Sequence, residues 1–288
     1  MILITGGLGY IGSHTLVELL SHGYDCVVLG RSVKNLEAVQ KVAGKNVLFC
    51  PGDVQDKLSL EHIFKQYSID VIIHLSDLKS SEESIKMPIT YYENNVWGAI
   101  NLIHCADRFK VKTFIFGSSS GVYGNTTLVP IKENAFLDPV TPYNRGKIMV
   151  ENILRDWFLS CADLKIGILR YFNPVGAYPR GMIGENPSST MSSIISHITQ
   201  VAIGRKKELL VFGNDYSTDD GTCVRDYVHV MDVARSHRQL LEHFSLKARE
   251  ILTLNIGSSI QSSILDVIHA FEKVTGKRVP YRFVDRRK

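Results

Sequence analysis

The chain is poor in the features that mark secreted, metal-binding or membrane proteins. Its five cysteines, Cys26, Cys50, Cys105, Cys161 and Cys223, are odd in number and far apart. None forms a Cys-x-x-Cys or metal-ligand spacing, so core thiols in a reducing compartment are expected. Ten histidines occur without a His-x-x-x-His pair or a carboxylate cluster, and no metal is expected. No apolar run is long enough to cross a bilayer. A strand-like run, Ile2-Leu3-Ile4, begins almost at once and leaves no room for a signal peptide, so a cytoplasmic protein is expected. Charge of one sign is scarce as well: 33 Lys and Arg against 29 Asp and Glu give a net +4. The one dense basic cluster, Arg282 with Arg286-Arg287-Lys288, is terminal and comes without a base-reading motif. Neither nucleic acid nor membrane is an expected partner. Internal repeats and low-complexity segments are lacking too.

What is present is an alternation. Short β-rich runs at Ile2–Thr5, Cys26–Leu29, Val47–Cys50, Val71–Leu75, Thr113–Gly117 and Ile166–Leu169 are separated by amphipathic stretches such as Ser13–Ser21, Leu58–Tyr67 and Val96–Arg108. Such a rhythm predicts an α/β protein with a doubly wound, Rossmann-like parallel sheet. After Asn173-Pro174 the rhythm changes. A Gly-, Pro- and Ser-rich stretch over Gly176–Ser193 predicts a loop, followed by a helix near Ile194–Ile203 and a strand over Leu209–Phe212. A polar turn over Gly213–Thr222, a helix over Val230–His243, a strand over Leu252–Ile256 and a last helix over Leu265–Val274 are expected to follow. The segments after the early strands can converge on one crevice, because ligands of such sheets bind at the strands' carboxyl ends.

Two motifs carry chemistry. Thr5-Gly6-Gly7-Leu8-Gly9-Tyr10-Ile11-Gly12 lies between a strand and a helix, where Gly6, Gly9 and Gly12 allow a tight turn and close approach to a pyrophosphate. Tyr143-Asn144-Arg145-Gly146-Lys147 places, on a helix, a phenol and an ammonium on one face a turn apart. A phenol near pKa 10 is a poor base at neutral pH. An ammonium and a cationic nicotinamide would favour its phenolate, which suits hydride transfer at an alcohol carbon. Ser118-Ser119-Ser120 follows the fifth strand and can share a hydrogen bond with a substrate oxygen, or simply make a turn. At the end of the second strand Gly30-Arg31 stands where an acidic residue would hold the adenosine ribose, so NADP is an alternative to NAD, while Asp53 can contact the adenine end. His74 reads as a satisfied core histidine and Glu82-Glu83 as solvated. Arg225-Asp226 reads either as a buried ion pair or as a guanidinium for a substrate phosphate.

The glycine turn, Leu169-Arg170-Tyr171-Phe172-Asn173-Pro174-Val175-Gly176-Ala177, Phe212-Gly213-Asn214-Asp215-Tyr216, Asp219-Asp220-Gly221-Thr222 and Val224-Arg225-Asp226-Tyr227-Val228-His229-Val230-Met231-Asp232 together resemble the extended short-chain dehydrogenase/reductase family. The likeness spans essentially the whole chain and is nearest to members that epimerise UDP-hexoses at C4. It implies interconversion of UDP-glucose and UDP-galactose by transient C4 oxidation with bound NAD. Tyr143 would be the base, helped by Ser119, and Lys147 would hold the nicotinamide ribose. Gly6, Gly9, Tyr10, Ile11, Gly12, Arg31, Asp53, Val54, Leu75, Lys79, Asn94 and Phe172 would join Tyr143 and Lys147 in binding the cofactor. Asn173, Ser193, Phe212, Arg225 and Arg287 would hold the UDP moiety. The resemblance further implies a dinucleotide-binding domain over 1–173 and a smaller, C-terminally truncated substrate domain over 174–288, with some elements returning to the first sheet. A homodimer through helices near Val96–Arg108 and Tyr143–Phe158 is the expected assembly.

Departures from the family pattern lie close to these residues. Gly30-Arg31 replaces Asp-Asn, Leu75-Ser76-Asp77 replaces Phe-Ala-Gly, and Gly121 replaces a threonine. Ser192-Ser193-Ile194 stands in place of Asn-Asn-Leu, and Arg145-Gly146 in place of Lys-Ser. The stretch after the fifth strand has no Asp-Glu pair, which argues against a 4,6-dehydratase. A 4-reductase using NADPH, or a dinucleotide-binding relative without catalysis, are the alternatives that these departures raise.

Overall fold

The computed structural model describes residues 1–126, 129–186 and 193–286. Its centre is a seven-stranded parallel sheet. In chain order its strands are β1 (Ile2–Thr5), β2 (Cys26–Gly30), β3 (Leu48–Pro51), β4 (Val71–His74), β5 (Thr113–Ser119) and β6 (Lys165–Tyr171). Next come β7 (Asn173–Val175), β8 (Leu209–Phe212) and β9 (Val224–His229), which lie outside it, and then β10 (Glu250–Ile256), which returns to it. β11 (Gln261–Ser263) and β12 (Tyr281–Val284) complete the described strands. The central order is β10-β6-β5-β4-β1-β2-β3. β7, β9 and β11 form a three-stranded sheet and β8 pairs with β12.

The inner strands β1, β2, β4, β5 and β6 are apolar on both sides, as a parallel sheet covered by helices requires. Leu3, Val27, Ile72, Phe114 and Ile166 face one buried cluster, and Ile4, Val28, Ile73 and Ile115 face another. A separate small core, with Ile198, Val211 and Ile268, supports the C-terminal part. The sheet order reverses beside β1, whose neighbours are β2 on one side and β4 on the other. That reversal opens the crevice at the carboxyl ends of β1 and β4.

The six early strands appear where the alternation predicts them, with edges moved by one or two residues. β7, β9, β11 and β12 are not expected from the sequence. β9 carries Arg225, Asp226 and His229, which break the apolar pattern of a strand; it is held between β7 and β11 and sends only Val228 into a core. Helices Leu36–Ala43, Ser81–Lys86 and Pro88–Tyr91 are also additions. The last runs into a π-helical segment, Tyr92–Trp97, before helix Gly98–Arg108.

Candidate functional site

A cleft of about 950 Å³ lies over the carboxyl ends of the central strands. Its floor begins at the glycine turn. Gly6 adopts φ +67°, and a Cβ there would lie 2.9 Å from the backbone of Leu75 at the end of β4. At Gly12 a Cβ would stand 2.1 Å from the Gly6 carbonyl oxygen. Both glycines are thus needed for the helix Tyr10–Ser21 to start this close to β1. Gly9 is its N-cap, no side chain caps it, and its first turn holds no acidic residue. Its leading N–H groups therefore face the cleft with the positive end of the helix, a good fit for a pyrophosphate. The Tyr10 hydroxyl donates to the Gly176 carbonyl at 2.7 Å, and burial followed by the nearby Glu185 pushes its pKa upward. Ile11 lines the cleft beside it.

Arg31, Asp53 and Val54 line the end of the cleft beyond β2 and β3. Arg31 Nη1 lies 3.5 Å from Asp53 Oδ2. Arg31, the residue that raises NADP as an alternative, thus already has the Asp53 carboxylate beside it. Asn94 sits on the π-helical segment, a local widening that turns its side chain and that of Asn95 inward. Asn94 accepts from Gln55 Nε2 at 3.3 Å and donates to Asn95 Oδ1 at 2.8 Å.

At the other end stand Tyr143 and Lys147. Thr141 caps their helix, Pro142–Ser160, by accepting from Asn144 N at 3.4 Å, and Pro142 fills the first position. The four-residue spacing puts both side chains toward the cleft, as expected. Lys147 is buried; its Nζ donates to the Gly117 carbonyl at 2.5 Å and meets Asp77 Oδ2 at 2.5 Å. Tyr143 has a pKa well above its ordinary 10, first through burial and then through the Asp77 carboxylate, which also accepts its hydrogen bond. The sequence suggests a phenolate helped by Lys147; in this structure Asp77 takes that ammonium and the phenol keeps its proton.

Ser119 ends β5 and lines the cleft, and its hydroxyl accepts from Gly121 N at 3.1 Å, so it is a turn device and a cleft residue at once. Gly121 yields its space to Asn144: a Cβ there would lie 2.4 Å from Asn144 Oδ1. His74 is a core histidine, bonded through Nδ1 to Thr5 Oγ1 at 2.7 Å and stacked on Phe116. Burial, with the Lys147 charge second, lowers its pKa to about 3.

Leu75, Phe172, Asn173 and Ser193 close the remaining wall. Asn173 Nδ2 donates to the Asp226 carbonyl at 2.9 Å. Ser193 caps the helix Ile194–Ala202, and its N–H donates to Glu185 Oε2 at 2.8 Å. Lys79 Nζ reaches the other oxygen of Glu185 at 3.4 Å, which joins the two sides of the cleft. Phe212 and Arg225 do not line it. The Arg225-Asp226 ion pair does not form: Arg225 is exposed and donates to the Val224 carbonyl at 2.9 Å, while Asp226 accepts from the N–H groups of Ser258 and Ser259. Glu83, read as solvated, accepts from the Tyr91 hydroxyl at 2.7 Å. Arg287 and Ser192 lie outside the described residues.

Several supports have no role that the sequence motifs assign. Asn95 holds both backbone groups of Leu78, accepting at 2.8 Å and donating at 2.9 Å. Tyr171 lines the cleft and bonds His237 Nε2 at 2.7 Å. Beneath the serines, Arg170 and Glu151 form a buried ion pair at 2.6 Å, to which Ser118 donates at 2.6 Å. Among the described residues no group of His, Cys, Asp and Glu could hold a metal, and no helix is long and apolar enough to cross a membrane.

The sequence pattern of the NAD dependent epimerase/dehydratase family matches residues 2–257. A UDP-glucose 4-epimerase of Bacillus subtilis (strain 168) is 43% identical over 290 residues, covering 99% of this chain and 85% of that protein. That of Yersinia enterocolitica is 46% identical over 291 residues, covering 99% and 86%. Among solved structures, the UDP-glucose-4-epimerase of Stenotrophomonas maltophila with bound NAD and formylated UDP-arabinopyranose superposes with a TM-score of 0.96 at 41% identity, over 100% of this chain and 86% of that one. The Bifidobacterium longum enzyme in complex with NAD+ and UDP gives 0.95 at 39% identity, over 99% and 86%.

Proposed function

This chain belongs to the NAD dependent epimerase/dehydratase family, and from that premise we propose that it interconverts UDP-glucose and UDP-galactose. The observation that carries the reading is the Tyr143–Lys147 pair, on one helical face at one end of a cleft whose floor holds an uncapped helix N-terminus. NAD bound there would supply the acceptor for the C4 hydride of the sugar and its return to the opposite face, with no net oxidation. Tyr143, once it has released its own proton, takes that of the 4-hydroxyl and later gives it back. Ser119 shares the hydrogen bond of the same oxygen. Lys147 holds the nicotinamide ribose, with Asn94, Lys79, Leu75 and Phe172 along the cofactor and Asp53, Val54 and Arg31 at its adenine end. The glycine turn with Tyr10 and Ile11 receives the pyrophosphate. Asn173 and Ser193, which line the cleft, hold the UDP moiety, while Phe212 and Arg225 lie outside its wall.

The same proposal divides the chain at 173 into a cofactor part and a substrate part, 174–288, and places it in the cytoplasm as a homodimer. Trp97 and Met149 support that assembly: both are large, apolar and exposed on the helices expected at the dimer face. The test is conversion of UDP-galactose by the purified protein, with and without added NAD, beside a Tyr143→Phe variant. Conversion is expected, with a loss of about a hundredfold or more in the variant. No conversion while NAD is bound would overturn the epimerase reading, and no bound NAD at all would overturn the enzyme reading. Sedimentation of the same sample should give twice the chain mass.

A further inference from the structure

We infer that Asp77 is a positioning residue for this reaction: by tying together the Lys147 ammonium and the Tyr143 hydroxyl, it sets the pH at which Tyr143 can release its proton. The inference rests on the epimerase reading for its place in a reaction, but its geometry stands alone. Asp77 has nothing loose about it. Before it, the N–H groups of Leu75 and Ser76 both donate to Thr5 Oγ1, at 3.2 and 3.3 Å. After it, Asn95 clamps Leu78 through both of its backbone groups. The carboxylate between these anchors is aimed at Lys147 and Tyr143.

An ammonium has three donors. At Lys147 one goes to Asp77 and one to the Gly117 carbonyl, which leaves one for an incoming ribose hydroxyl. Its charge, 5.6 Å over the Tyr143 ring, is the natural stabiliser of a phenolate, yet the nearer Asp77 oxygen offsets it. The other groups around Tyr143 bring no compensating charge. Tyr171 on β6 is held protonated by burial, then by Asp77. Tyr91, on the helix Pro88–Tyr91, is pushed up to about 12 by burial and by its bond to Glu83. His74, at the end of β4, is neutral down to about pH 3. Asp77 and Lys147 are thus the formal charges that decide the matter. A carboxylate beside a phenol disfavours its ionisation, so removing it must make Tyr143 easier to deprotonate.

The test replaces Asp77 by Asn, which keeps shape and removes charge. Tyrosinate absorbance is titrated in wild type, Asp77→Asn and Asp77→Asn/Tyr143→Phe, and the pH profile of UDP-galactose conversion is measured for the first two. In Asp77→Asn one tyrosine should ionise at lower pH than in wild type, and that step should vanish when Tyr143 is also replaced. The relative rate at the acid end of the profile should rise about tenfold. Should Asp77→Asn fail to fold, Asp77→Ser serves with the same readouts. An unchanged tyrosinate titration, or a new step that survives Tyr143→Phe, overturns the inference. If neither protein converts UDP-galactose, the titration still decides the role of Asp77, and the failure belongs to the proposed activity.

Discussion

A single methyl group at position 12 would sit 2.1 Å from the Gly6 carbonyl oxygen, far inside van der Waals contact, and neither atom can retreat without moving β1 or the helix that follows. Gly12→Ala is therefore expected to displace the helix N-terminus from the cleft. Overpacking of this kind costs about 1–3 kcal/mol, and dinucleotide affinity should fall about ten- to a hundredfold. Titration of the protein with NAD by calorimetry checks this. Arg31 is mostly exposed and engages Asp53 at 3.5 Å, a pair that contributes little to stability.

The helix Pro142–Ser160 bears both motif residues, and a buried polar network fixes where it lies. Glu151 accepts from Arg170 Nη2 at 2.6 Å, from Arg170 Nε at 3.0 Å and from Ser118 at 2.6 Å. Arg170 also donates to the Tyr123 hydroxyl at 2.8 Å, which in turn donates to Asn255 at 2.7 Å. Helix, β5, β6 and β10 are thereby joined through a network whose centre, Arg170 with Glu151, is buried. Glu151→Ala leaves the Arg170 charge buried and unpaired, so a loss of about 3–5 kcal/mol is expected, read from the urea midpoint. Activity should fall with it, because Tyr143 and Lys147 ride on the same helix.

For the molecule as a whole, two histidines give stability a pH dependence. Burial lowers His74 to about 3 and His237 to about 4 from an ordinary 6.5. Between those values the unfolded chain binds protons that the folded chain does not. Stability is therefore full above about pH 6.5 and falls as the pH drops toward 4 and 3. At pH 5 each ring costs about 2 kcal/mol. The urea midpoint should drop between pH 7 and pH 5, and by less in His237→Phe when each protein is compared with its own value at pH 7.

By itself the sequence determined the strand–helix alternation, the glycine turn and the Tyr143–Lys147 face. Each depends on local rules: apolar periodicity, the freedom of glycine, and the four-residue spacing of a helix. The same rules miss β9, which is polar and has partners far away in the chain. They also leave the Arg225-Asp226 question open, because adjacent charges need not pair when better partners arrive from Ser258 and Ser259. Only the tertiary structure decided what surrounds Tyr143. Asp77, Tyr171 and Lys147 come from three separate elements, and a charge in a low-dielectric cleft acts by distance through space, not by separation along the chain.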